Sequence, residues 1–190
     1  IILLWNLILH LSDMNIFVTD PDPRVSAQVL PDKHIVKMPL ETCQMASVIF
    51  SKYHWDWGTI NKKDGTPYRT TGGFRNHPCT VWAASSKANF AWMLHHGFDL
   101  MWEYQKRFGK EHGCFQTMCQ AMTIYHDHLK EIDGSIYDYK DAKDFARAMP
   151  DEFKYDDTID TFTAYKRYIA SKPWVRDNYI RLPNRKPEWV

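Results

Sequence analysis

An apolar stripe runs through the sequence from Pro78 to Phe108 and roughly follows the period of an α-helix. Its members are mostly large and often aromatic: Val81, Trp82, Ala88, Trp92, Phe98, Met101, Trp102 and Phe108. Such spacing gathers the side chains on one helical face, which must be buried against other elements. Pro78 is suited to open the stretch, Gly97 is expected to divide it, and Gly109 is expected to end it. The stripe predicts a core built from helices.

The rest of the sequence adds further helices. A helical stretch is predicted from Pro23 to about Phe50, with Pro31 and Pro39 dividing or kinking it because each removes an amide donor. Another is predicted over 111–129, followed by a looped stretch over 130–156 with at most a short helix near 141–148. Thr158 is expected to cap a last helix that ends before Pro173.

Two short segments have β character. Residues 15–19 (NIFVT) are typical of a strand, and residues 62–65 (KKDG) of a hairpin turn between two short strands. The sequence therefore predicts a mainly α, compact single-domain helical bundle with a small β-strand/hairpin element over residues 14–190.

The first thirteen residues, IILLWNLILHLSD, precede the first methionine, Met14. We interpret them as an upstream or non-native extension, with translation starting at Met14. The apolar run is shorter than the roughly 20 residues that a membrane helix needs, and it lacks the features of a signal peptide, so no membrane association is predicted. The four cysteines form no C-x-x-C pair, which favours reduced thiols and a cytoplasmic protein.

The segment Asp32–Glu41 (DKHIVKMPLE) carries three different proton-handling groups on one side of a helix. His34, Lys37 and Glu41 are spaced by three and four residues. Seven residues of helix rise about 10 Å, which is too far for a direct hydrogen bond between His34 and Glu41. The two side chains could still contact opposite ends of one ligand. In a cleft the three would form an acid–base site, whereas towards water they would be an ordinary polar stripe.

Cations elsewhere could meet an anionic partner, although the net charge is only +1. Arg75 and His77 precede a helix start, where His77 would either cap the helix or hold an anion. A second set lies at a helix end, where it would complement the helix dipole or bind phosphate, and a third lies near the C-terminus. The candidate DNA-binding residues are Arg75, His77, Lys106, Arg107, Lys110, Arg181 and Arg185.

One resemblance covers nearly all of residues 14–189. The strings MNIFVTDPDP, DKHIVKM, NHPC, RFGKEH and AMPDEF resemble a family of small uncharacterised proteins of tailed phages. The resemblance implies a phage or phage-derived gene and a product in the host cytoplasm, and it implies no particular activity.

A second resemblance is confined to residues 14–45. Asp32, His34 and Glu41 match the Asp-x-His-x6-Glu pattern of the phage-type pyrimidine-dimer DNA glycosylase/lyase family. That family is compact and largely helical, needs no cofactor, and uses its N-terminal α-amine as nucleophile. The resemblance implies that Glu41 aids glycosidic cleavage and the following lyase step, that His34 contacts DNA or the site, and that the amine belongs to Asn15, or to Met14 if it is retained.

The sequence thus predicts a base-excision glycosylase/AP lyase that acts on double-stranded DNA with damaged or modified bases, without cofactor or metal. Lys37, partly desolvated beside His34, would be an alternative nucleophile. A phage accessory protein that binds a host protein or nucleic acid without catalysis remains open. A metal-dependent nuclease built from the histidines also remains open, as does a zinc site from Cys114, Cys119, His126 and His128.

Overall fold

The computed structural model describes residues 14–132 and 138–190. The prediction of a mainly helical protein is confirmed. The α-helices of this part of the chain are α1 (Pro23–Gln28), α2 (Asp32–Phe50), α3 (Pro78–Ala84), α4 (Lys87–Phe108), α5 (Phe115–Ile132), α6 (Asp151–Lys154) and α7 (Thr161–Ala170). Short 3₁₀ helices span Gly73–Asn76, Tyr139–Asp141, Val175–Asp177 and Pro183–Arg185. The predicted extension, 1–13, lies outside the described residues.

Helix α4 is central and packs against α1, α2, α3 and α5. The expected break at Gly97 is wrong, because α4 runs through it unbroken. A Cβ at Gly97 would lie 2.5 Å from the Met118 side chain and 2.9 Å from that of Thr42. The glycine therefore lets α4 approach α5 and α2 closely. The break falls instead before α4, where the Ser86 hydroxyl caps the helix by accepting from the Asn89 amide.

The two prolines near α2 behave differently. Pro31 lies at the start of α2 and separates it from α1, as predicted. Pro39 lies inside α2, which continues to Phe50. The long helix therefore presents His34, Lys37 and Glu41 from one continuous element.

The predicted β element is not found as strands in the described residues. Around residues 15–19 the backbone bonds to side chains: Asn15 Oδ1 accepts from the amides of Ile16 and Phe17, and Ser26 Oγ accepts from that of Thr19. Local side-chain bonding of this kind replaces a strand ladder. The predicted turn at 62–65 exists, but only one isolated bridge, between Asn61 and Pro67, flanks it.

The C-terminal segment folds back onto the start of α2. Asp32 Oδ2 accepts from the amides of Ile180 and Arg181, and the Tyr179 hydroxyl donates to Val29 O. This anchoring brings residues 172–181 beside the helix that carries the candidate site. None of the described helices is long and apolar enough to cross a membrane.

Candidate active site

Glu41 is a buried carboxylate with two defined contacts. Its Oε2 accepts a hydrogen bond of 2.9 Å from the backbone nitrogen of Asn15. Its Oε1 lies 3.2 Å from Lys37 Nζ, one helical turn earlier. The Glu41 side chain is 5% exposed and that of Lys37 is 43% exposed, so the ion pair reaches from the interior to solvent. Burial is tolerable because the charge is both paired and hydrogen-bonded.

The backbone nitrogen of Asn15 is held in place by its own side chain. Asn15 Nδ2 donates to Ala148 O, while Oδ1 accepts from the next two amides. The chain then turns sharply at Phe17, whose φ is +42°. This conformation is uncommon for a residue with a side chain. The local structure thus fixes one backbone nitrogen against the Glu41 carboxylate. We refer to Asn15, Lys37 and Glu41 as the Glu41 site.

His34 lies between aromatic rings and is buried. Its ring stacks on Phe17 with centroids 4.0 Å apart and meets the edge of Trp174 at 5.6 Å. Its Nδ1 is buried without a hydrogen-bond partner in the described structure. Burial, and then the nearby ammoniums of Lys172, Lys37 and Lys33, hold the pKa of His34 well below its usual value. The imidazole is therefore neutral at physiological pH.

A recess of about 330 Å³ opens beside His34. Its lining contains three lysines and no acidic side chain: Phe17, Lys33, His34, Lys37, Met38, Lys172 and Trp174. Lys33 Nζ lies 4.5 Å from the centre of the Trp174 ring, and Lys172 Nζ donates to the Tyr168 hydroxyl at 3.2 Å. We call this feature the lysine recess. Because Lys37 lines it and also pairs with Glu41, the recess adjoins the Glu41 site.

A second cleft, of about 400 Å³, borders the same region. Met14, His77, Arg147, Lys154 and Tyr168 are among its lining residues. Tyr168 also stacks at 5.9 Å on Phe17, a residue of the lysine recess. Tyr168 therefore lines the second cleft and contacts two residues of the lysine recess, Phe17 and Lys172, while Met14, the neighbour of Asn15, lies at the wall of the second cleft.

Two predicted DNA-binding residues support the backbone around α3. His77 Nδ1 accepts from the Cys79 amide at 3.2 Å and so caps α3, while also lining the cleft at Met14. Burial lowers the pKa of His77. Arg75 packs over the Tyr53 ring at 3.2 Å and donates from Nε to Thr70 O. Only His77 of this pair lies in a cleft next to the Glu41 site.

Arg107 has a different role from the predicted one. Its side chain is 0% exposed and donates to Asp32, Glu103, Leu30 O and Gln28 O. A guanidinium that is enclosed and bonded in this way does not reach DNA in this conformation. Arg185 binds Glu103 from the other side, with Nε 2.8 Å from Oε1. We call Arg107, Asp32, Glu103 and Arg185 the Arg107 cluster.

The remaining predicted cations lie outside both concavities at the Glu41 site. Lys106 lines a separate cleft with Arg24 and Trp102, and Lys110 is exposed after the end of α4. Arg181 is exposed with its guanidinium 5.2 Å from the Phe108 ring centre.

The sequence analysis missed several residues that shape the site. Phe17, Lys33, Lys172 and Trp174 were not predicted as site residues, and Asn15 was proposed only through the resemblance to the glycosylase family. The spacing of Lys33 and Lys37, four residues apart on one helix, was a usable signal. Nothing in the sequence pairs Trp174 with His34. Within residues 14–132 and 138–190 no group of three or more His, Cys, Asp or Glu side chains is placed to hold a metal ion.

Comparison with known proteins gives one positive result. The family model for pyrimidine dimer DNA glycosylase matches residues 14–117, a segment that contains Asn15, His34, Lys37 and Glu41 but ends well before Lys172 and Trp174. Neither curated proteins nor solved structures give a match. The resemblance to small phage proteins stays a prediction. Because the matched segment spans more than half of the chain, the protein belongs to the pyrimidine dimer DNA glycosylase family.

Proposed function

We propose that this protein is a DNA glycosylase with AP lyase activity on damaged or modified bases of the pyrimidine-dimer type. The observation that carries the proposal is the 2.9 Å contact between the Asn15 nitrogen and Glu41 Oε2, inside the segment that the family model matches. A nitrogen nucleophile beside a buried carboxylate is the arrangement that cleavage at a sugar C1′ through an imine requires.

The chemistry assigns Asn15 and Glu41 distinct tasks. A free amine on Asn15 attacks C1′, the bond from C1′ to the base breaks, and the base leaves with a proton. The nitrogen then loses a second proton and forms a double bond to C1′ while the C1′–O4′ bond breaks and O4′ takes up a proton, which opens the sugar ring and gives an imine. Glu41, within hydrogen-bonding distance of this nitrogen, carries these protons. Removal of a C2′ proton then breaks the C3′–O bond and frees a 5′-phosphate end, after which water releases the sugar and restores the amine.

The nucleophile must be an amine rather than an amide. While Met14 is attached, the Asn15 nitrogen belongs to a peptide bond, and its lone pair is delocalised into the carbonyl. We therefore propose that the reactive form begins at Asn15. Met14, which is 4% exposed, contributes to the wall of the second cleft. Its loss would widen that cleft towards Asn15.

Lys37 has two possible roles in this scheme. As the ion-pair partner of Glu41, it balances the charge of a buried carboxylate. As an alternative nucleophile, it would attack C1′ itself, but an ammonium must first lose its proton. The first role agrees with the observed contact between Lys37 and Glu41. Reduction of the imine with borohydride would distinguish the two roles, because it fixes the sugar covalently to the amine that attacked it.

DNA would approach the face that holds both concavities. Lys33, Lys37 and Lys172 give this face three ammoniums next to Glu41, which suits contacts to backbone phosphates. His77, Lys154 and, farther out, Arg75, Lys106, Lys110 and Arg181 are proposed as additional contacts. Arg107 and Arg185 are left out because they bind Glu103.

The test is a cleavage assay on duplex oligonucleotides in the presence of chelator. Duplexes carry a pyrimidine dimer, uracil, an abasic site or no lesion, and the protein begins at Asn15. We expect base release and strand cleavage at the dimer and strand cleavage at the abasic site, with the intact duplex unchanged. Absence of cleavage on every duplex would leave the non-catalytic binding protein as the better account. Activity that needs added metal would favour a metal-dependent nuclease.

A further inference from the structure

We propose that the lysine recess binds a terminal phosphate monoester, namely the 5′-phosphate end that strand cleavage leaves next to the Glu41 site. The source of this ligand rests on the proposed function, whereas the recess itself can be tested without catalysis.

Two of the three lysines that line the recess have no carboxylate partner in the described structure. Lys33 and Lys172 form no ion pair with a carboxylate of residues 14–132 and 138–190, whereas the third lysine, Lys37, pairs with Glu41. Lys33 Nζ and Lys172 Nζ lie 4.5 and 5.8 Å from the centre of the same Trp174 ring. Two ammoniums held near one ring make a fixed site of positive potential, which favours an anion of concentrated charge.

His34 adds a polar group that can form a hydrogen bond to a phosphate oxygen. The imidazole lines the recess, is 6% exposed, and has an Nδ1 without a hydrogen-bond partner in the described structure. Because burial and the three lysines lower the pKa of His34, the ring is neutral. A neutral imidazole has one N–H donor and one acceptor, so it can donate to a phosphate oxygen. An unsatisfied buried polar atom is costly, and a ligand would relieve that cost.

A monoester suits this recess better than an internal diester. A phosphate monoester carries a charge of about −1.5 to −2 near pH 7 and has three terminal oxygens, whereas a diester carries one charge. The volume of about 330 Å³ is near the lower end of small-molecule sites, which suits a phosphate and part of a sugar. Lys37 borders both the recess and Glu41, so a newly freed end would form within reach of the lysines.

Part of the recess lies beyond the segment that the family model matches. Lys172 and Trp174 lie after residue 117, where the family match ends. The C-terminal segment is held against α2 by the bonds of Asp32 to the amides of Ile180 and Arg181. The consequence for the reaction is that the protein retains its cleaved product through the new phosphate end.

The test compares two nicked duplexes that differ only in the 5′ end at the nick, which carries a phosphate or a hydroxyl. Binding of the full chain is measured by fluorescence anisotropy. We expect the phosphate duplex to bind about tenfold more tightly. In Lys33→Ala/Lys172→Ala the two duplexes should bind equally. In the matched control Lys52→Ala/Lys63→Ala, which removes two exposed lysines outside the recess, the preference should remain.

Each outcome decides one of the two proposals. Equal binding of both duplexes by the wild type would overturn the inference, as would a preference that survives in Lys33→Ala/Lys172→Ala with an unchanged unfolding midpoint. The substitution pair Lys33→Gln/Lys172→Gln, which keeps the stem length, guards against loss of packing at Trp174. A wild-type protein that prefers the phosphate end but cleaves no damaged duplex would refute the proposed function and leave the phosphate site standing.

Discussion

Two charged clusters involve residues of helix α2, and they differ in how completely their bonding is satisfied. In the Arg107 cluster every nitrogen of the enclosed guanidinium donates: to Asp32 and Glu103, to the carbonyl of Gln28 at the end of α1, and to that of Leu30 just after it. At the Glu41 site the carboxylate is buried, but its partner Lys37 is partly exposed. Beside it, the lysine recess holds two further lysines without carboxylate partners in the described structure.

The difference separates a structural role from a chemical one. The Arg107 cluster joins α1, α2, α4 and the C-terminal segment, and four of the five N–H donors of Arg107 bond within the protein. The Glu41 site has a concavity next to it, and His34 in that concavity has a buried Nδ1 without a hydrogen-bond partner in the described structure. Charge alone does not distinguish the two, because each combines acidic and basic side chains. Completeness of hydrogen bonding and access to solvent do distinguish them.

The assignment of a chemical role to one cluster and a structural role to the other is tested most strongly by the same Glu→Gln substitution in each. Glu41→Gln should lower the turnover of damaged DNA by about 100-fold or more, because Gln cannot carry a proton, while DNA affinity persists. Glu103→Gln should leave the chemistry intact and lower the free energy of unfolding by about 1–3 kcal/mol, because Glu103 accepts from both Arg107 and Arg185. Single-turnover kinetics and urea unfolding measure the two effects. Full turnover in Glu41→Gln would contradict the assignment.

Removal of Arg107 tests the structural cluster at its centre. Arg107→Met should lower the free energy of unfolding by about 3–5 kcal/mol, because Asp32 loses its ion-pair partner in the described structure and Glu103 keeps only Arg185. Urea unfolding monitored by circular dichroism measures the change. Lys106→Met, on the exposed side of the same helix, is the matched control and should change stability little. A stable Arg107→Met protein with weakened DNA binding would restore the role predicted from the sequence.

The helices, the turn at 62–65 and the chemical character of Glu41 and Lys37 could be predicted from local sequence, because they depend on residues three or four positions apart. Asn15 reaches Glu41 across 26 positions, and Trp174 reaches His34 across a much longer stretch. No local period encodes such contacts. The predicted helix break at Gly97 was wrong for a related reason. The glycine serves close packing against Met118, which depends on contacts between helices and not on helix propensity.

Two buried histidines, His34 and His96, should make the free energy of unfolding depend on pH. Burial lowers the pKa of His96 to about 3, and the pKa of His34 is also lowered, first by burial. An unfolded histidine has a pKa of about 6.5, so below that pH the unfolded state binds more protons and stability is lost as pH falls. His96 should cost about 2 kcal/mol by pH 5 relative to pH 7, and His34 should lower stability in the same direction.

His96→Phe and His34→Phe should each flatten the fall in stability between pH 7 and pH 5, measured by urea unfolding at several pH values. Only His34→Phe should also weaken binding of the duplex with a 5′-phosphate nick, because only His34 lines the lysine recess. An equal loss of phosphate preference in His96→Phe would show that the effect is a general response to core substitution.

The smallest expected effect concerns the location of the DNA contacts. Lys33→Ala/Lys172→Ala should reduce the slope of log affinity against log salt by about 2, because two phosphate contacts are lost. Lys106→Ala/Lys110→Ala should reduce it less, since both side chains lie outside the two concavities at the Glu41 site. Titrations at several salt concentrations measure the slopes. A larger reduction in the second pair would move the DNA interface to the end of α4.

The most direct measurement of the central claim is borohydride trapping on a duplex with an abasic site, followed by digestion and mass spectrometry. A chain that begins at Asn15 is compared with one that carries residues 1–14. We predict a covalent adduct only in the first, with the sugar attached to the α-amine of Asn15, and an undiminished adduct in Lys37→Ala. Equal trapping in both chains, or an adduct on Lys37, would contradict the account.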